Sequence, residues 1–250
     1  MSDPLRILCI MAHPDDIDFS AAATIDQWVR AGAQVTYVIV TSGDAGGYDD
    51  ALRSEMIDTR RSEQISAAAV VGVSDVRFLH GYSDGFVEPN HDLMQDLVRV
   101  MRQVRPHRVV THSAERSYDY IWQSHPDHLA VGEATIRAMY PAVENPFSYP
   151  QLLQDENLAA WRIPELWLVG HPTPDHAELI DEVGLAIKLD ALRAHASQMP
   201  DLGNLEALIR NRLLTGPRPA GIDPAAMVEA FRVPRLHDPQ HLAHSAAADL

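Results

Sequence analysis

The sequence is poor in cysteine, in long apolar runs and in basic charge, and each shortage excludes a class of protein. Its single cysteine, Cys9, cannot form an intramolecular disulfide, so we predict a buried thiol that packs as a small hydrophobic side chain. No apolar stretch has the length that a bilayer-spanning helix needs. Residues 1–4 lack the basic start of a secretory signal. We therefore predict a cytoplasmic protein without membrane contact.

Basic residues are outnumbered by acidic ones. The 250 residues include 20 Lys and Arg against 35 Asp and Glu, which gives a formal net charge of −15 at pH 7. This balance opposes broad contact with nucleic acid or with anionic lipid. Nucleic acid is therefore not a predicted partner.

Two common catalytic signatures are also missing. The sequence has no G-x-S-x-G motif, which argues against a serine hydrolase with a nucleophile elbow. The turn after the first apolar run carries Asp15 and Asp16, where a dinucleotide-binding loop would carry glycines. Two carboxylates in that turn would repel a pyrophosphate.

Apolar, β-branched runs alternate with helical patterns along the first 200 residues. This alternation predicts an α/β fold with a Rossmann-like, mostly parallel sheet and helices on both faces. The predicted strands are 5–11, 34–40, 75–79, 108–111 and 165–169, and the predicted helices are 21–31, 53–71, 91–104, 128–139 and 181–198.

The sequence beyond residue 200 is less regular. We predict one domain over 1–200 and, over 201–250, a small irregular region of short helices. The alanine-rich end, 241–250, is interpreted as a tail that packs on the same domain or on a neighbouring subunit.

Two short clusters concentrate groups that can bind a metal. The segment A-H-P-D-D at 12–16 follows the first predicted strand, and H-P-D-H at 125–128 follows the fourth. Because ligands bind outside the carboxyl ends of parallel strands, we expect both clusters at one sheet edge. Imidazole and carboxylate groups suit a catalytic zinc ion that keeps one position open for water. An alternative for 12–16 is that an aspartate merely caps the next helix.

A third histidine segment, at 171–176, looks similar but is not predicted to bind metal. Its histidines, His171 and His176, are five residues apart with two prolines between them, so they do not share a helical face. His171 is the better candidate of the two to reach the rim of the site.

The ordered set of motifs resembles the PIG-L/LmbE-like deacetylases, a family that removes acyl groups from N-acetylglucosamine-type amides. The resemblance covers roughly residues 5–200. The matching residues, in chain order, are 12–16 with Asp18, T-S-G-D at 41–44, Arg60 with Glu63, alanines 67–69 with Gly72 and Val73, Asp84 with Gly85, 125–128, and Lys188, Ala191, Leu192, His195, Ser197 and Gln198.

The resemblance implies a role for each residue of the two clusters. His13, Asp16 and His128 match the metal ligands, Asp15 the general base and His125 the general acid. Zinc would supply a water of lowered pKa, Asp15 would take its proton, and His125 would protonate the departing amine. An aspartate with two histidines could also hold iron or cobalt.

The resemblance further implies that Arg60 and Asp84 contact the sugar. The alternative for Arg60 is an ion pair with Glu63 at the start of a helix. Lys188, His195 and Gln198 are interpreted as scaffold of the site.

Three functions are compatible with this pattern. The first is deacetylation of an N-acetylated amino sugar or glycoconjugate, and the second is a related amidase acting on a larger sugar or thiol–sugar conjugate. The third is a non-catalytic protein that binds metal or sugar, although such a protein needs neither Asp15 nor His125. Relatives are often homo-oligomers, and the sequence leaves the number of subunits open.

Overall fold

A five-stranded parallel sheet forms the centre of the computed structural model, which describes residues 3–46, 53–119, 121, 124–199 and 202–236. Its strand order is β3-β2-β1-β4-β5, and every neighbouring pair is parallel. The strands are β1 Arg6–Met11, β2 Gln34–Ile39, β3 Asp75–Phe78, β4 Arg108–His112 and β5 Glu165–Val169. The predicted α/β class and Rossmann-like sheet are therefore confirmed.

Helices cover both faces of the sheet. Most of the longer ones connect consecutive strands, and short turns lie at Ala138–Ala142 and Ala196–Gln198. The helices are α1 Asp16–Arg30, α2 Arg53–Val70, α3 His91–Val104, α4 Pro126–Arg137, α5 Pro150–Gln154, α6 Glu182–Arg193 and α7 Leu205–Thr215. Within the described residues, none of them combines the length and the apolarity that a bilayer crossing requires.

The central strand β1 is buried on both faces, which explains its continuous apolar sequence. Leu8 and Ile10 face one cluster, which includes residues of α3 and α4. Cys9 faces the other cluster together with residues of α1 and α2, and its thiol is free and buried as predicted. The alternation of side chains along β1 thus joins two helical layers into one core.

The C-terminal part contains a strand that the sequence pattern does not reveal. β6 (His176–Ile180) and β7 (Met227–Phe231) pair as an antiparallel ribbon. The predicted short helix in 201–250 is present as α7, whereas β7 was not predicted. Each strand has five residues, and an isolated pair of that size gives little periodic signal. The predicted tail 241–250 lies outside the described residues.

Candidate active site

The candidate site lies where the strand order of the sheet changes direction. β1 pairs with β2 on one side and with β4 on the other, so the crossovers from β1 and from β4 leave in opposite directions. Their carboxyl ends open a crevice, the usual ligand position in such sheets. His13 follows β1, and His112 ends β4. The two predicted clusters meet at this edge.

One ring nitrogen of His13 lies close to one of His128, and each of the two lies close to a different oxygen of Asp16. His13 Nδ1 lies 3.3 Å from His128 Nε2 and 3.4 Å from an Asp16 oxygen. The other Asp16 oxygen lies 3.1 Å from His128 Nε2. Ligands bound at 2.0–2.1 Å in a tetrahedron are about 3.3–3.4 Å apart. The pairwise distances are close to that value, and the donor types suit an ion such as zinc. The triplets of described residues whose ligand atoms all lie within 4.8 Å of one another are His13 with His125 and His128, Asp16 with His112 and His128, and His13 with Asp84 and Asp127.

The second nitrogen of His13 faces two further carboxylates. His13 Nε2 is 3.1 Å from an Asp127 oxygen and 3.1 Å from an Asp84 oxygen. Asp127 is held in turn, because its two oxygens accept the backbone N–H groups of Gly85 and Val87. A ligating histidine commonly donates its other N–H to such a carboxylate, which fixes the ring and its tautomer.

The start of α4 positions His125 and His128. Pro126 occupies the first turn, and His125 Nδ1 accepts the Asp127 N–H at 3.3 Å as the helix cap. One nitrogen each of His13, His125 and His128 lies within 4.8 Å of the others. His125 is half-buried, so it borders the cluster from the open side.

His112 belongs to the same cluster, although the sequence analysis did not select it. Its ring stacks on the ring of His128 with centroids 4.0 Å apart, and its Nε2 lies 3.2 Å from an Asp16 oxygen. The same Nε2 is 3.2 Å from the Ala12 N–H. The sequence feature that could have identified His112 is its position at the end of β4, where ligands bind in parallel sheets. The predicted strand ended one residue earlier, at 111.

Asp15 takes an unusual backbone conformation at the start of α1. Its φ is 92°, in the region that a side chain disfavours. Its carboxylate accepts no backbone N–H of the helix, so the alternative that Asp15 merely caps α1 was wrong. Instead, an Asp15 oxygen lies 3.1 Å from Arg60 Nη2, and its backbone N–H donates to Gln64.

Arg60 and Asp84, the two predicted sugar contacts, are almost fully buried. Arg60 donates to the carbonyls of Pro14 and Gly43 as well as to Asp15, whereas Glu63 accepts from Ser197. Arg60 and Glu63 therefore have different partners, and the predicted alternative of an ion pair between them was wrong. Arg60 Nε is buried without a partner among the described residues. Direct contact with a sugar stays a prediction.

Electrostatics favour positive charge at the centre of the cluster. Burial lowers the pKa of His13, but the charge of Asp16 and hydrogen bonds to three carboxylates raise it well above its usual range overall. Burial raises the pKa of Asp16, but nearby His128, His112 and His13 hold it well below its usual range. A group of carboxylates that stabilises a proton on His13 also suits a bound cation.

The two predicted proton-transfer groups have pKa values shifted toward each other. Burial and the charge of Asp16 raise the pKa of Asp15 to about 6. Burial and the charges of His13 and His128 lower the pKa of His125. Such opposing shifts in a cleft are typical of catalytic acids and bases.

His171 and His176 lie apart from the cluster. His171 pairs with Glu115 at 2.9 Å, and His176 on β6 packs against Trp167 and pairs with Glu178. Neither belongs to the groups of described residues that could hold a metal ion, in agreement with the prediction that they are not ligands.

Known proteins similar to this chain carry related names. A protein of Kineococcus radiotolerans, named 1D-myo-inositol 2-acetamido-2-deoxy-alpha-D-glucopyranoside deacetylase, is 32% identical over 174 residues, which are 56% of this chain and 46% of that protein. This chain thus spans just under half of that relative. A probable N-acetyl-alpha-D-glucosaminyl L-malate deacetylase 2 of Bacillus cereus is 31% identical over 216 residues, covering 83% of this chain and 90% of that protein.

A solved structure agrees with the fold over most of the chain. It is the N,N'-diacetylchitobiose deacetylase of Pyrococcus horikoshii in complex with its inhibitor MPG. The TM-score is 0.81 at 26% identity, with 93% of this chain and 85% of that chain covered. The family model of PIG-L, described as GlcNAc-PI de-N-acetylase, matches residues 8–139, more than half of this chain. This protein therefore belongs to the PIG-L family.

Proposed function

We propose that this protein is a zinc-dependent deacetylase that hydrolyses the acetamide of an N-acetylglucosamine-type amino sugar. The observation that carries the proposal is the grouping of His13, Asp16 and His128 at ligand spacing, with Asp15 and His125 beside them. The named relatives support the substrate class, because each name contains an N-acetylated glucosamine unit. The products are acetate and the free amino sugar.

His13, Asp16 and His128 would hold the ion, with His13 using Nδ1 because its Nε2 faces Asp127 and Asp84. When bound, zinc supplies a Lewis acid and a water of pKa about 7. The same set of two imidazoles and one carboxylate could accept iron or cobalt. Metal analysis of the purified protein decides among them.

Asp15 and His125 provide the proton transfers of the proposed reaction. Asp15 takes the proton of the attacking water, since its carboxylate adjoins the ligand Asp16 and is held by Arg60. His125 donates a proton to the sugar nitrogen as the C–N bond breaks. Because its Nδ1 accepts the Asp127 N–H, the transferred proton is carried on Nε2. Without that proton the leaving group would be an amide anion.

A larger glycoconjugate is the second candidate substrate, and an exposed aromatic ring favours it. Phe86 is 79% exposed and stands between Gly85 and Val87, whose N–H groups bind Asp127. An exposed ring so close to the site offers an apolar face to a second sugar or an aglycone. Phe86→Ala should then raise KM for a disaccharide more than for a monosaccharide.

The test is acetate release from three substrates, with zinc content measured on the same sample. The substrates are N-acetylglucosamine, N,N'-diacetylchitobiose and an acetyl-lysine peptide, and Asp15→Asn is the control. We expect both sugars to be hydrolysed far faster than the peptide. Equal efficiencies on sugar and peptide would leave a general amidase. No release from any substrate by a zinc-loaded protein would favour the non-catalytic binder.

The predicted sugar contact of Asp84 is separable from its contact with His13. If Asp84 binds the sugar, Asp84→Asn, which keeps the shape of the side chain, should raise KM and leave zinc affinity near wild type. If Asp84 acts only through His13 Nε2, 3.1 Å away, zinc affinity should fall instead. Zinc competition and steady-state kinetics on the same preparation distinguish the two.

A further inference from the structure

The conformation of Asp15 requires support from outside its own helix. Its φ of 92° is disfavoured for a residue with a side chain, yet this residue directly precedes α1, and its carbonyl accepts the N–H groups of Asp18 and Phe19. Such conformations persist where the surroundings over-determine them. The backbone N–H of Asp15 points away from the helix and donates to Gln64 at 2.8 Å.

Gln64 uses both ends of its side-chain amide. Its Oε1 accepts the Asp15 N–H, and its Nε2 donates to an Asp18 oxygen at 2.9 Å. A backbone donor on one side and a carboxylate on the other allow one orientation of the amide. Gln64 is fully buried and lies four residues after Arg60 on α2, so both reach Asp15 from one helical face.

Asp18 carries the chain of contacts onward to His195. The Asp18 oxygen that accepts from Gln64 also lies 2.9 Å from His195 Nε2. Asp18 and His195 are both fully buried. Burying three polar side chains is costly unless they are connected. Here each is connected to the next until the chain ends on the backbone of Asp15, while Asp18 Oδ1 and His195 Nδ1 are buried without a partner among the described residues.

We propose that Gln64, Asp18 and His195 form a positioning chain that holds Asp15 in its left-handed backbone conformation and thereby directs its carboxylate into the site. The inference rests on the proposed function, in which Asp15 is the base. All three side chains are fully buried, so none of them is exposed to a substrate. Arg60 holds the carboxylate of Asp15, and the positioning chain holds its backbone.

The test is a double-mutant cycle between positions 64 and 15. Gln64→Met is close to glutamine in length but neither donates nor accepts a hydrogen bond. We expect kcat to fall by about 10- to 100-fold, as misplacement of a reacting group does, while KM and zinc affinity stay near wild type. Because Gln64 acts through Asp15, adding Gln64→Met to Asp15→Asn should cause little further loss.

Thr36→Val is the matched control. It removes a partly buried side-chain hydrogen bond to Asp75 near the start of β2, away from Asp15. Its effect on kcat should be small and should add to that of Asp15→Asn. A crystal structure of Gln64→Met should show Asp15 outside the left-handed region. Should Gln64→Met not fold, Gln64→Asn, whose amide is too short to reach both partners, takes its place in the cycle.

Three results would overturn the positioning chain: an unchanged kcat in a folded Gln64 variant, losses that add fully in the double variant, or an Asp15 that keeps its left-handed conformation in the Gln64→Met crystal. Failure of the proposed function looks different. In that case wild type releases no acetate, or Asp15→Asn retains full activity. The φ of Asp15 in the Gln64→Met crystal then still decides whether the chain holds the backbone.

Discussion

Both ring nitrogens of His13 lie close to acidic side chains. Nδ1 lies close to Asp16 and His128, and Nε2 lies close to Asp84 and Asp127. A proton on Nε2 leaves the lone pair of Nδ1 for an ion. The neighbours of the His13 ring therefore favour Nδ1 as the atom that would bind the ion.

The first prediction concerns the ligand His128. His128→Ala removes one of three proposed protein ligands, so zinc content and deacetylation should fall together. His171→Ala is the control, because His171 pairs with Glu115 instead, and it should keep zinc content near wild type. Full zinc occupancy in His128→Ala would contradict the ligand assignment.

The second prediction concerns the proton transfers. Asp15→Asn keeps the shape of the side chain but cannot accept a proton, so it should retain zinc and lose about 10²–10⁴-fold in rate.

The pH profile supplies a second measurement of these two groups. The pKa of Asp15 is about 6, so the base form is present above that pH and is lost as the pH falls. The pKa of His125 is lowered, so its acid form is lost as the pH rises. We expect kcat/KM to follow a bell whose limbs report the coupled pair. An unaltered acidic limb in the residual activity of Asp15→Asn would identify another base.

At the scale of elements, the periodicity of apolar residues predicted the order of strands and helices better than it predicted where each of them begins. The bounds of α3 and β5 match the predicted ranges 91–104 and 165–169, because each has a clear apolar pattern. Helix α1 begins at Asp16, five residues before its predicted start. Its first turn contains Asp16 and Asp18, so the apolar pattern used to predict the helix starts only after that turn. The ribbon β6–β7 joins segments that are far apart in sequence, a pairing that local patterns do not encode.

The candidate site was predictable where its residues formed motifs. The clusters 12–16 and 125–128 could be found from the sequence, whereas His112 and Gln64 are single residues whose neighbours in space come from other elements. Asp127 lies inside a motif, but its contact with His13 Nε2 depends on the packing of α4 against the end of β1. Such contacts come from tertiary structure and leave no local signal.

The third prediction concerns the end of β4. His112 stacks on His128 and touches Asp16, so His112→Ala should weaken zinc binding by about 10- to 100-fold, as loss of an outer-shell partner commonly does. His107→Ala is the control, since His107 precedes β4 at the opposite end and contacts Arg6. Competition with a chelator measures both, and equal zinc affinities in the two variants would contradict the prediction.

The fourth prediction concerns a buried ion pair that joins α6 to β7. Lys188 Nζ lies 2.6 Å from Glu229, and both side chains are about 1% exposed. Lys188→Met would leave the Glu229 carboxylate buried with two backbone donors, at Ala23 and Thr24. Breaking such a pair costs about 3–5 kcal/mol of the free energy of unfolding, measurable by urea denaturation.

The matched control lies on the same helix. Arg193 pairs with Asp190 at 2.6 Å, and their side chains are 48% and 57% exposed. Arg193→Met should change the free energy of unfolding by less than about 1 kcal/mol, because water screens an exposed pair. Similar changes in both variants would mean that burial gives the Lys188–Glu229 pair no larger effect on the free energy of unfolding than an exposed pair has.

At the scale of the whole molecule, the segment 202–236 belongs to the packing of the main domain. Ile209 and Leu213 of α7 share a buried cluster with Leu189 and Leu192 of α6. Phe231 of β7 is fully buried and packs against Trp28 and Trp167. These contacts cover one side of the layer that holds α1, whose first residue is the proposed ligand Asp16.

The fifth prediction is that a chain ending after residue 199 does not fold as a stable unit. The truncation would expose the α6 cluster, remove the contacts of Phe231 with two tryptophans and leave Lys188 buried without Glu229, and each loss acts on the same layer. A chain ending after residue 236 keeps the described contacts of α7 and β7 and serves as the control. Calorimetry should give one cooperative transition for the control and none for the shorter chain. If the shorter chain instead melts cooperatively and binds zinc, then residues up to 199 form an autonomous domain, and α7 and β7 are an accessory to it.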